Sequence, residues 1–287
     1  MPQLKLVPPL FHAFPYQKWS PVLRALCDEY RGNSPSPHIY LGDFLADDTA
    51  RTIAREFPDR AAPGWTYYKH QNENKLGMTQ RSMFPGTLGK VVDELNSPDF
   101  VAWLSDLTGI SNLIADPALD GGGLHQASRG GFLNLHTDFT AHHYQSNWRR
   151  RVNLIVYLTP NWQEEWGGAL EFWESKSKTR SARYPPLFNH AVIFNTDDCS
   201  FHGFPDPLTC PENISRNSLA LYYYTVEDKP KLLVRGTDYH ARPNDGKSKA
   251  ALIWLDKHAV SIYSRIKKKF GFSDELVSRA LKFVSRK

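Results

Sequence analysis

Long apolar runs, paired cysteines and a leader-like start are all missing from this 287-residue sequence. No apolar stretch approaches the roughly 20 residues that a helix needs to cross a bilayer, which predicts no membrane span. The first residues, MPQLKLVPPLFHAFP, lack a charged segment followed by a continuous apolar core, so we expect no signal peptide. Cys27, Cys199 and Cys210 form no CxxC pair. This argues against a disulfide framework or a zinc knuckle and favours a reducing, cytoplasmic location.

Excess positive charge is confined to one end of the chain. Hydrophobic residues make up 41% and charged residues 23%, which is typical of a globular protein. The net charge is +5, yet residues 247–287 contain 11 Lys and Arg against 3 Asp and Glu. We interpret this basic tail as the solvated face of surface helices. Because it carries no aromatic or motif signature, we expect no nucleic-acid partner.

The chain divides into three stretches by its residue patterns. Residues 1–120 form a predicted mixed α/β flank, with a strand at His38–Phe44 and helices at Asp47–Phe57 and Leu88–Leu107. We expect Asp47 or Asp48 to cap the first of these helices. Residues 247–287 predict two amphipathic helices, which would pack on the core or form a homodimer contact.

The middle stretch, residues 121–246, predicts a β-rich core. It contains short runs of strand-forming residues separated by Gly, Pro, Asn and Asp turn signals: Gly131–Leu135, Arg151–Leu158, Ala169–Trp173, His190–Phe194 and Ser218–Thr225. Because few helices intervene, a sandwich or barrel is favoured over a parallel α/β sheet.

A candidate metal site lies in GFLNLHTDF, residues 131–139. Residues two apart on a strand point to the same face, so His136 and Asp138 would share one space. They supply two thirds of a facial 2-His-1-carboxylate triad, which leaves coordination positions open on iron. Alone, the pair is weak support, since a salt link or a core hydrogen bond would look the same. His202 in CSFHGF is the candidate third ligand.

A candidate carboxylate anchor follows in Arg216-Asn217-Ser218. Arg216 and Ser218 would also share a strand face, where a guanidinium and a hydroxyl could bind the remote carboxylate of a dicarboxylic acid. The order His-x-Asp, distal His and Arg-x-Ser is more specific than any one of its parts.

From about Gly121 to Thr225 the sequence resembles the catalytic domain of Fe(II)/2-oxoglutarate oxygenases, in the prolyl 4-hydroxylase-like branch. The segments that carry the resemblance are GGFLNLH (130–136), RVNLIVYL (151–158), GGALEFW (167–173) and RNSLALYYY (216–224). The resemblance implies a mainly β fold with flanking helices, namely a double-stranded β-helix, which is a distorted jelly roll or cupin-like barrel.

The same resemblance implies the chemistry. His136, Asp138 and His202 would bind Fe(II), while Arg216, with Tyr157 and Ser218, would bind 2-oxoglutarate. No catalytic residue beyond the metal ligands is implied. The reaction would consume O2, hydroxylate a C–H bond and release succinate and CO2. Asp138 occupies the position that related halogenases leave as Gly or Ala, so hydroxylation is favoured over halogenation.

The substrate is less visible, and three alternatives stay open. We expect an amino acid, small peptide or natural product, while a protein prolyl residue is the alternative within the family. An inactive jelly-roll binding module and a zinc hydrolase are the others, although the hydrolase lacks a separate general base. Six residues could line a mouth or could equally be core or surface: Trp65, Tyr67, Tyr68, His125, Gln126 and Trp173. We expect His142 and His143 to lie on the surface, and Arg149–Arg151 cannot all face one pocket.

Overall fold

The computed structural model describes residues 12–174, 178–197, 200–228 and 237–256. Within these residues, five α-helices have both ends defined: α1 Tyr16–Trp19, α2 Leu23–Gly32, α3 Asp47–Glu56, α4 Gly86–Leu95 and α5 Pro98–Thr108. Residues 247–256 are also helical, and the rest of the predicted C-terminal helices lies outside the described residues. No helix in this part of the chain has the length and apolarity to span a bilayer. Cys27 and Cys210 are free thiols, and Cys199 is outside the described residues.

The described residues also form thirteen strands in one sheet. Their bounds are β1 His38–Leu41, β2 Thr66–His70, β3 Glu73–Met78, β4 Ile114–Ala115, β5 Gly123–Ser128, β6 Phe132–Thr137, β7 Trp148–Tyr157, β8 Leu170–Trp173, β9 Arg180–Tyr184, β10 Ala191–Asn195, β11 Phe201–Phe204, β12 Ser215–Val226 and β13 Asp238–Tyr239. The hydrogen-bonded order is β1-β10-β7-β12-β5-β3-β6-β11-β8-β9, with β13 on β6, β2 on β3 and β4 on β12.

Side chains bring the two ends of this order together. His38 of β1 stacks on Phe172 of β8 with ring centroids 4.4 Å apart, and Tyr40 stacks on Tyr184 of β9 at 4.9 Å. The antiparallel sheet thus curls into a nearly closed barrel with few flanking helices. The predicted mainly β, jelly-roll type fold is confirmed, and each of the five predicted β-rich runs overlaps a strand.

Alternation along β7 from Val152 to Tyr157, and along the paired part of β12, separates the core from the barrel interior. Val152, Leu154 and Val156 belong to the main apolar cluster, which also contains buried residues of α3, α4 and α5. The residues between them point the other way. We call the space on that side the chamber; Asn153, Tyr157, Arg216 and Ser218 face it. The helices therefore pack on one side of these strands, and polar side chains collect on the other.

Two sequence expectations for the flank are wrong. The predicted helix Leu88–Leu107 is two helices, because Ser97 caps α5 by accepting a hydrogen bond from the Phe100 amide and Pro98 occupies its first turn. A proline at that position begins a helix and cannot continue one. Neither Asp47 nor Asp48 caps α3, whose N-cap is Ala46. The Asp47 carboxylate instead accepts a hydrogen bond from Arg51 at 2.7 Å.

The described part of the C-terminal helix turns an unexpected face to the barrel. Ile253 is buried, whereas Leu252 and Leu255, predicted on the packing face, are exposed. Asp256 explains this orientation, because its carboxylate contacts His70 Nδ1 at 2.7 Å and Asn72 Nδ2 at 2.6 Å. The division of the chain at residues 120 and 246 stays a prediction.

Candidate metal centre

Two neighbouring strands bring the two histidines together. His136 of β6 is the register partner of His202 of β11, and their ring centroids are 4.4 Å apart. Asp138 is the first residue after β6. His136 Nε2 lies 3.7 Å from Asp138 Oδ1, and His202 Nε2 lies 3.5 Å from Asp138 Oδ2. These ligand atoms converge on one point, all within 4.8 Å of one another. The sequence prediction that the three residues share one space is therefore met.

Backbone carbonyls fix the orientation of both imidazoles. His136 Nδ1 donates to the Asn134 carbonyl at 2.9 Å, and His202 Nδ1 donates to the Ser200 carbonyl at 2.8 Å. Each Nε2 therefore keeps its lone pair for a metal, an arrangement common among metal-binding histidines. Burial lowers the pKa of His202 to about 4, although Asp138 opposes the shift. His202 is thus neutral near pH 7, as a metal ligand must be.

The carboxylate of Asp138 is held by two side chains that the sequence analysis did not single out as ligand partners. Asn153 Nδ2 donates to Asp138 Oδ2 at 2.7 Å, and the Arg150 guanidinium lies 3.3 Å from the same oxygen. Burial would raise the pKa of Asp138, but Arg150 and the two histidines hold it well below its usual value. We call Arg150 and Asn153 the carboxylate clamp.

Aromatic rings enclose the guanidinium of the clamp. Arg150 lies 3.4 Å from the centroid of the Tyr222 ring and 4.4 Å from that of Phe139, and its Nε donates to Asn153 Oδ1 at 2.8 Å. The chamber takes one of the three consecutive arginines, and it is Arg150 because the register between β7 and β12 shifts at Arg151 and turns Arg150 to the side of Asn153. Asn153 had a sequence signal, since it is a polar residue between Val152 and Leu154. Nothing in the sequence distinguished Arg150 from Arg149 or Arg151.

Arg216 forms a second site in the chamber. It is 6% exposed and lies between the rings of Tyr157, at 4.8 Å, and Phe204, at 4.3 Å. Its Nε donates to the Gly168 carbonyl at 2.8 Å. Burial lowers the pKa of this guanidinium and Tyr157 opposes the shift, while no Asp or Glu in the described part of the chain pairs with it. A buried cation without an acidic partner is a ready site for an anionic ligand.

Tyr157 and Ser218 complete this pocket. They are register partners on β7 and β12, so they share the chamber face with Arg216. The Tyr157 hydroxyl is buried and has no hydrogen-bond partner within the described residues. A carboxylate bound to Arg216 would satisfy it. Gly168 has φ +75°, and a Cβ there would lie 3.0 Å from the Arg216 side chain, so glycine leaves room for the guanidinium.

The other candidate residues are dispersed. Tyr68 and His125 share the chamber face, because Tyr68 pairs with Lys75 and His125 pairs with Ser218. Trp65 and Tyr67 pack in the main core instead. Gln126 faces the opposite side of the sheet from His125, and Trp173 lines a separate cavity of about 380 Å³ with Arg180 and Arg242.

His142 and His143, both predicted to lie on the surface, have different environments. His143 is exposed, whereas His142 is buried, with its Nε2 3.4 Å from Asp116. The expectation that both lie on the surface is therefore wrong for His142. The sequence around it, Ala141-His142-His143-Tyr144, contains no pattern that would separate the two.

Comparison with known proteins agrees with this geometry. The sequence pattern of the 2OG-Fe(II) oxygenase superfamily matches residues 122–224, a span that contains the triad, the clamp and the Arg216 pocket. Prolyl 3-hydroxylase OGFOD1 of Mus musculus is 28% identical over 161 residues, which are 55% of this chain and 26% of that protein. The chain therefore spans about a quarter of that relative's length.

One solved structure supports the fold. A prolyl hydroxylase from Trichoplax adhaerens, in complex with a peptide of hypoxia inducible factor, superposes with a TM-score of 0.53 at 15% identity over 72% of this chain and 91% of that one. A prolyl-4-hydroxylase from Pseudomonas putida gives 0.47 at 18% identity, over 71% and 100%. The family match and the site geometry together show that residues 122–224 are similar to the 2OG-Fe(II) oxygenase superfamily.

Proposed function

We propose that this chain is an Fe(II)- and 2-oxoglutarate-dependent dioxygenase that hydroxylates a C–H bond. One observation carries the proposal: a metal-ready triad and a buried arginine without an acidic partner face the same chamber. A binding module would have no need for either feature. A zinc hydrolase would use the triad but would leave Arg216 without a role.

Each group has a defined task. His136, Asp138 and His202 would hold Fe(II) through two imidazole nitrogens and one carboxylate oxygen, and the carboxylate clamp keeps Asp138 aimed at the metal. Arg216, Tyr157 and Ser218 would bind the C5 carboxylate of 2-oxoglutarate. With O2, the bound iron supplies the oxidative decarboxylation that releases succinate and CO2 and hydroxylates the substrate. The apolar rings around both cations keep water out.

For the substrate, we infer an amino acid or a peptide, and a prolyl residue is the first choice to test. The mouse relative is a prolyl 3-hydroxylase by name, and the Trichoplax enzyme was solved with a peptide. Both are distant in sequence, so the position that is oxidised is left to experiment. The test set should contain free L-proline and short proline-containing peptides, assayed by succinate release.

The first experiment tests cofactor binding without a substrate. Metal-free protein receives Fe(II) and then 2-oxoglutarate without oxygen, and a weak visible charge-transfer band is expected. Asp138→Ala and His202→Ala should abolish the band because metal is lost. In Arg216→Ala, the band should appear only at a much higher concentration of 2-oxoglutarate. Arg149→Ala changes an exposed arginine of the same run and should leave the band unchanged. Failure of the parent protein to bind iron would reject the oxygenase proposal.

A homodimer through the C-terminal helices and a reducing, cytoplasmic compartment stay predictions. Exposed Leu252, Trp254 and Leu255 on the described helix supply an apolar surface that supports the first. Sedimentation of the full chain against a Leu252→Glu, Leu255→Glu variant tests it. An unchanged monomer mass in both would contradict the dimer.

A further inference from the structure

A lysine with an acidic partner lies on the chamber wall formed by β3. The register Gly77–His125–Ser218 runs across β3, β5 and β12, so these three positions share one face of the sheet. Lys75 is two residues before Gly77 and therefore points to that same face. Its side chain is only 15% exposed. The ammonium thus lies on the side of the sheet that carries Arg216 and Ser218.

Lys75 is within electrostatic range of His125 and Tyr222, two further residues of the chamber face. The pKa of His125 is lowered to about 3 by burial first and by Lys75 next, with a smaller contribution from Arg216. Burial raises the pKa of Tyr222, while Arg150 and Lys75 oppose that shift. His125 is thus within electrostatic range of both Lys75 and the Arg216 pocket. Tyr222, in turn, packs against Arg150 of the carboxylate clamp and is also within electrostatic range of Lys75.

Glu73 holds this lysine in place. Its carboxylate lies 3.2 Å from Lys75 Nζ and 2.9 Å from His70 Nε2. It also interacts with the buried Tyr239 hydroxyl, and Tyr239 is the register partner of the metal-site residue His136. Glu73 is therefore committed to three neighbours. An ammonium has three N–H donors, so Lys75 keeps donors for a further partner.

We propose that Lys75, oriented by Glu73, binds an oxygen acceptor of the substrate inside the chamber. This inference rests on the proposed function, because it assumes that iron and 2-oxoglutarate fill the other two pockets. The acceptor is a carboxylate or an amide carbonyl close to the carbon that is oxidised. Glu73 balances the charge of Lys75, so either a free amino acid or a peptide satisfies the geometry.

The experiment follows Lys75 directly. Protein labelled with 13C at lysine Cε is loaded with Zn(II), which supports no turnover, and with 2-oxoglutarate. Acetate and N-methylacetamide are then titrated as separate probes, and the Lys75 signal is assigned by its loss in Lys75→Met. Lys69, exposed on the paired strand β2, is the matched control within the same spectrum.

We expect one probe to shift the Lys75 signal at a concentration roughly tenfold below that needed at Lys69, a preference of about 1.4 kcal/mol. Stronger binding of acetate identifies a carboxylate-bearing substrate, and stronger binding of N-methylacetamide identifies a peptide. Glu73→Gln should weaken the preferred probe because it releases the ammonium. Equal responses of Lys75 and Lys69 to both probes would overturn the proposal.

Failure of this inference is separable from failure of the oxygenase proposal. Binding of 2-oxoglutarate and metal is measured on the same samples before the probes are added. If both bind and Lys75 does not respond, Lys75 has only a structural role with Glu73. If 2-oxoglutarate itself does not bind, the oxygenase proposal and this inference are both contradicted.

Discussion

The two faces of strand β7 show opposite uses of buried space. One face carries Val152, Leu154 and Val156, which fill the core against the helices. The other carries Asn153 and Tyr157, and Arg150 from the start of the strand joins them. Both faces exclude water, but the first does so with apolar side chains alone, whose burial contributes about 25 cal/mol per Å².

The chamber face has the opposite balance. A buried polar group without a partner costs about 1–3 kcal/mol, and the Tyr157 hydroxyl makes no hydrogen bond within the described residues. The apolar face offsets that cost and holds the polar groups in position. Stability and ligand binding should therefore respond separately to substitutions on the two faces.

The largest effect should come from Arg216→Met, which removes the unpaired cation from the chamber. Two hydrogen bonds to a charged group contribute about 3–6 kcal/mol together, so 2-oxoglutarate affinity should fall about 10²- to 10⁴-fold. The metal-free protein should melt at the same or a higher temperature, because a buried charge is gone. Anaerobic calorimetry and a thermal melt measure both, with Arg149→Met as the control. Affinity within threefold of the parent would contradict this role.

Leu154→Ala tests the opposite face of the same strand. Removal of a buried leucine side chain should lower the free energy of unfolding by about 2–5 kcal/mol. The 2-oxoglutarate affinity of the folded protein should stay close to that of the parent, because the side chain points away from the chamber. Urea unfolding gives the first quantity, and calorimetry at low temperature gives the second. A large loss of affinity with unchanged stability would erase the distinction between the faces.

Asn153→Leu breaks the carboxylate clamp without adding charge. Loss of the 2.7 Å hydrogen bond to Asp138 should lower Fe(II) affinity about 10- to 100-fold, the usual effect of removing a partner of a metal ligand. Competition with a coloured chelator measures it. Asn217→Leu is the control, since that amide pairs with Gln126 on the other side of the sheet. Equal Fe(II) affinity in Asn153→Leu and Asn217→Leu would show that the carboxylate clamp does not support metal binding.

Tyr157→Phe and Tyr223→Phe form a matched pair with smaller effects. Tyr157→Phe should lower 2-oxoglutarate affinity about 2- to 10-fold and raise the stability of the metal-free protein, because a hydroxyl without a partner is removed. Tyr223 donates to the Leu95 carbonyl at 2.8 Å on the helix side. Its variant should lose stability by about 1 kcal/mol and keep its affinity. A loss of 2-oxoglutarate affinity in Tyr223→Phe but not in Tyr157→Phe would show that the ligand does not bind on the chamber face.

The smallest expected effect concerns pH and His70. Burial lowers the pKa of His70, but Glu73 and Asp256 more than offset this, so it lies above 6.5. The stability that His70 gains from its contacts with Glu73 and Asp256 is fully present below the pKa of His70 in the unfolded chain. It is lost as the pH rises through the pKa of His70 in the folded chain. Protection of amides in residues 247–256, corrected for intrinsic exchange, should fall as the pH rises above about 6.5, by about 1 kcal/mol or less. His70→Gln should show no such change.

Sequence patterns predicted the strands that are short runs of strand-forming residues between turn signals. The five β-rich runs overlap strands for that reason. The β2–β3 hairpin was not predicted, since Thr66–His70 and Glu73–Met78 carry charged and polar residues that face the chamber or its mouth. The sequence contained the signal for a helix break at Ser97 and Pro98. The apolar periodicity on either side of it nevertheless led to the prediction of one continuous helix.

The site divides in a similar way. His136, Asp138, His202 and Arg216 were recognisable from their order along the chain. Among the other chamber residues, Asn153 left a signal as a polar residue in an apolar run, whereas Arg150 and Lys75 reach the chamber only through strand register. Register depends on contacts between distant segments, and a single sequence does not reveal it.

The unpaired guanidinium of Arg216 also has a consequence for the life of the protein in a cell. A ligand that binds only the folded chain stabilises it, by about 2.7 kcal/mol at a hundredfold excess over its dissociation constant. A dicarboxylate that neutralises Arg216 is such a ligand, since the pocket is assembled from β7, β12 and the Gly168 turn. The folded fraction, and with it resistance to proteolysis, then rises and falls with the supply of 2-oxoglutarate. Through this thermodynamic linkage, the abundance of the protein would follow the metabolite that the proposed reaction consumes.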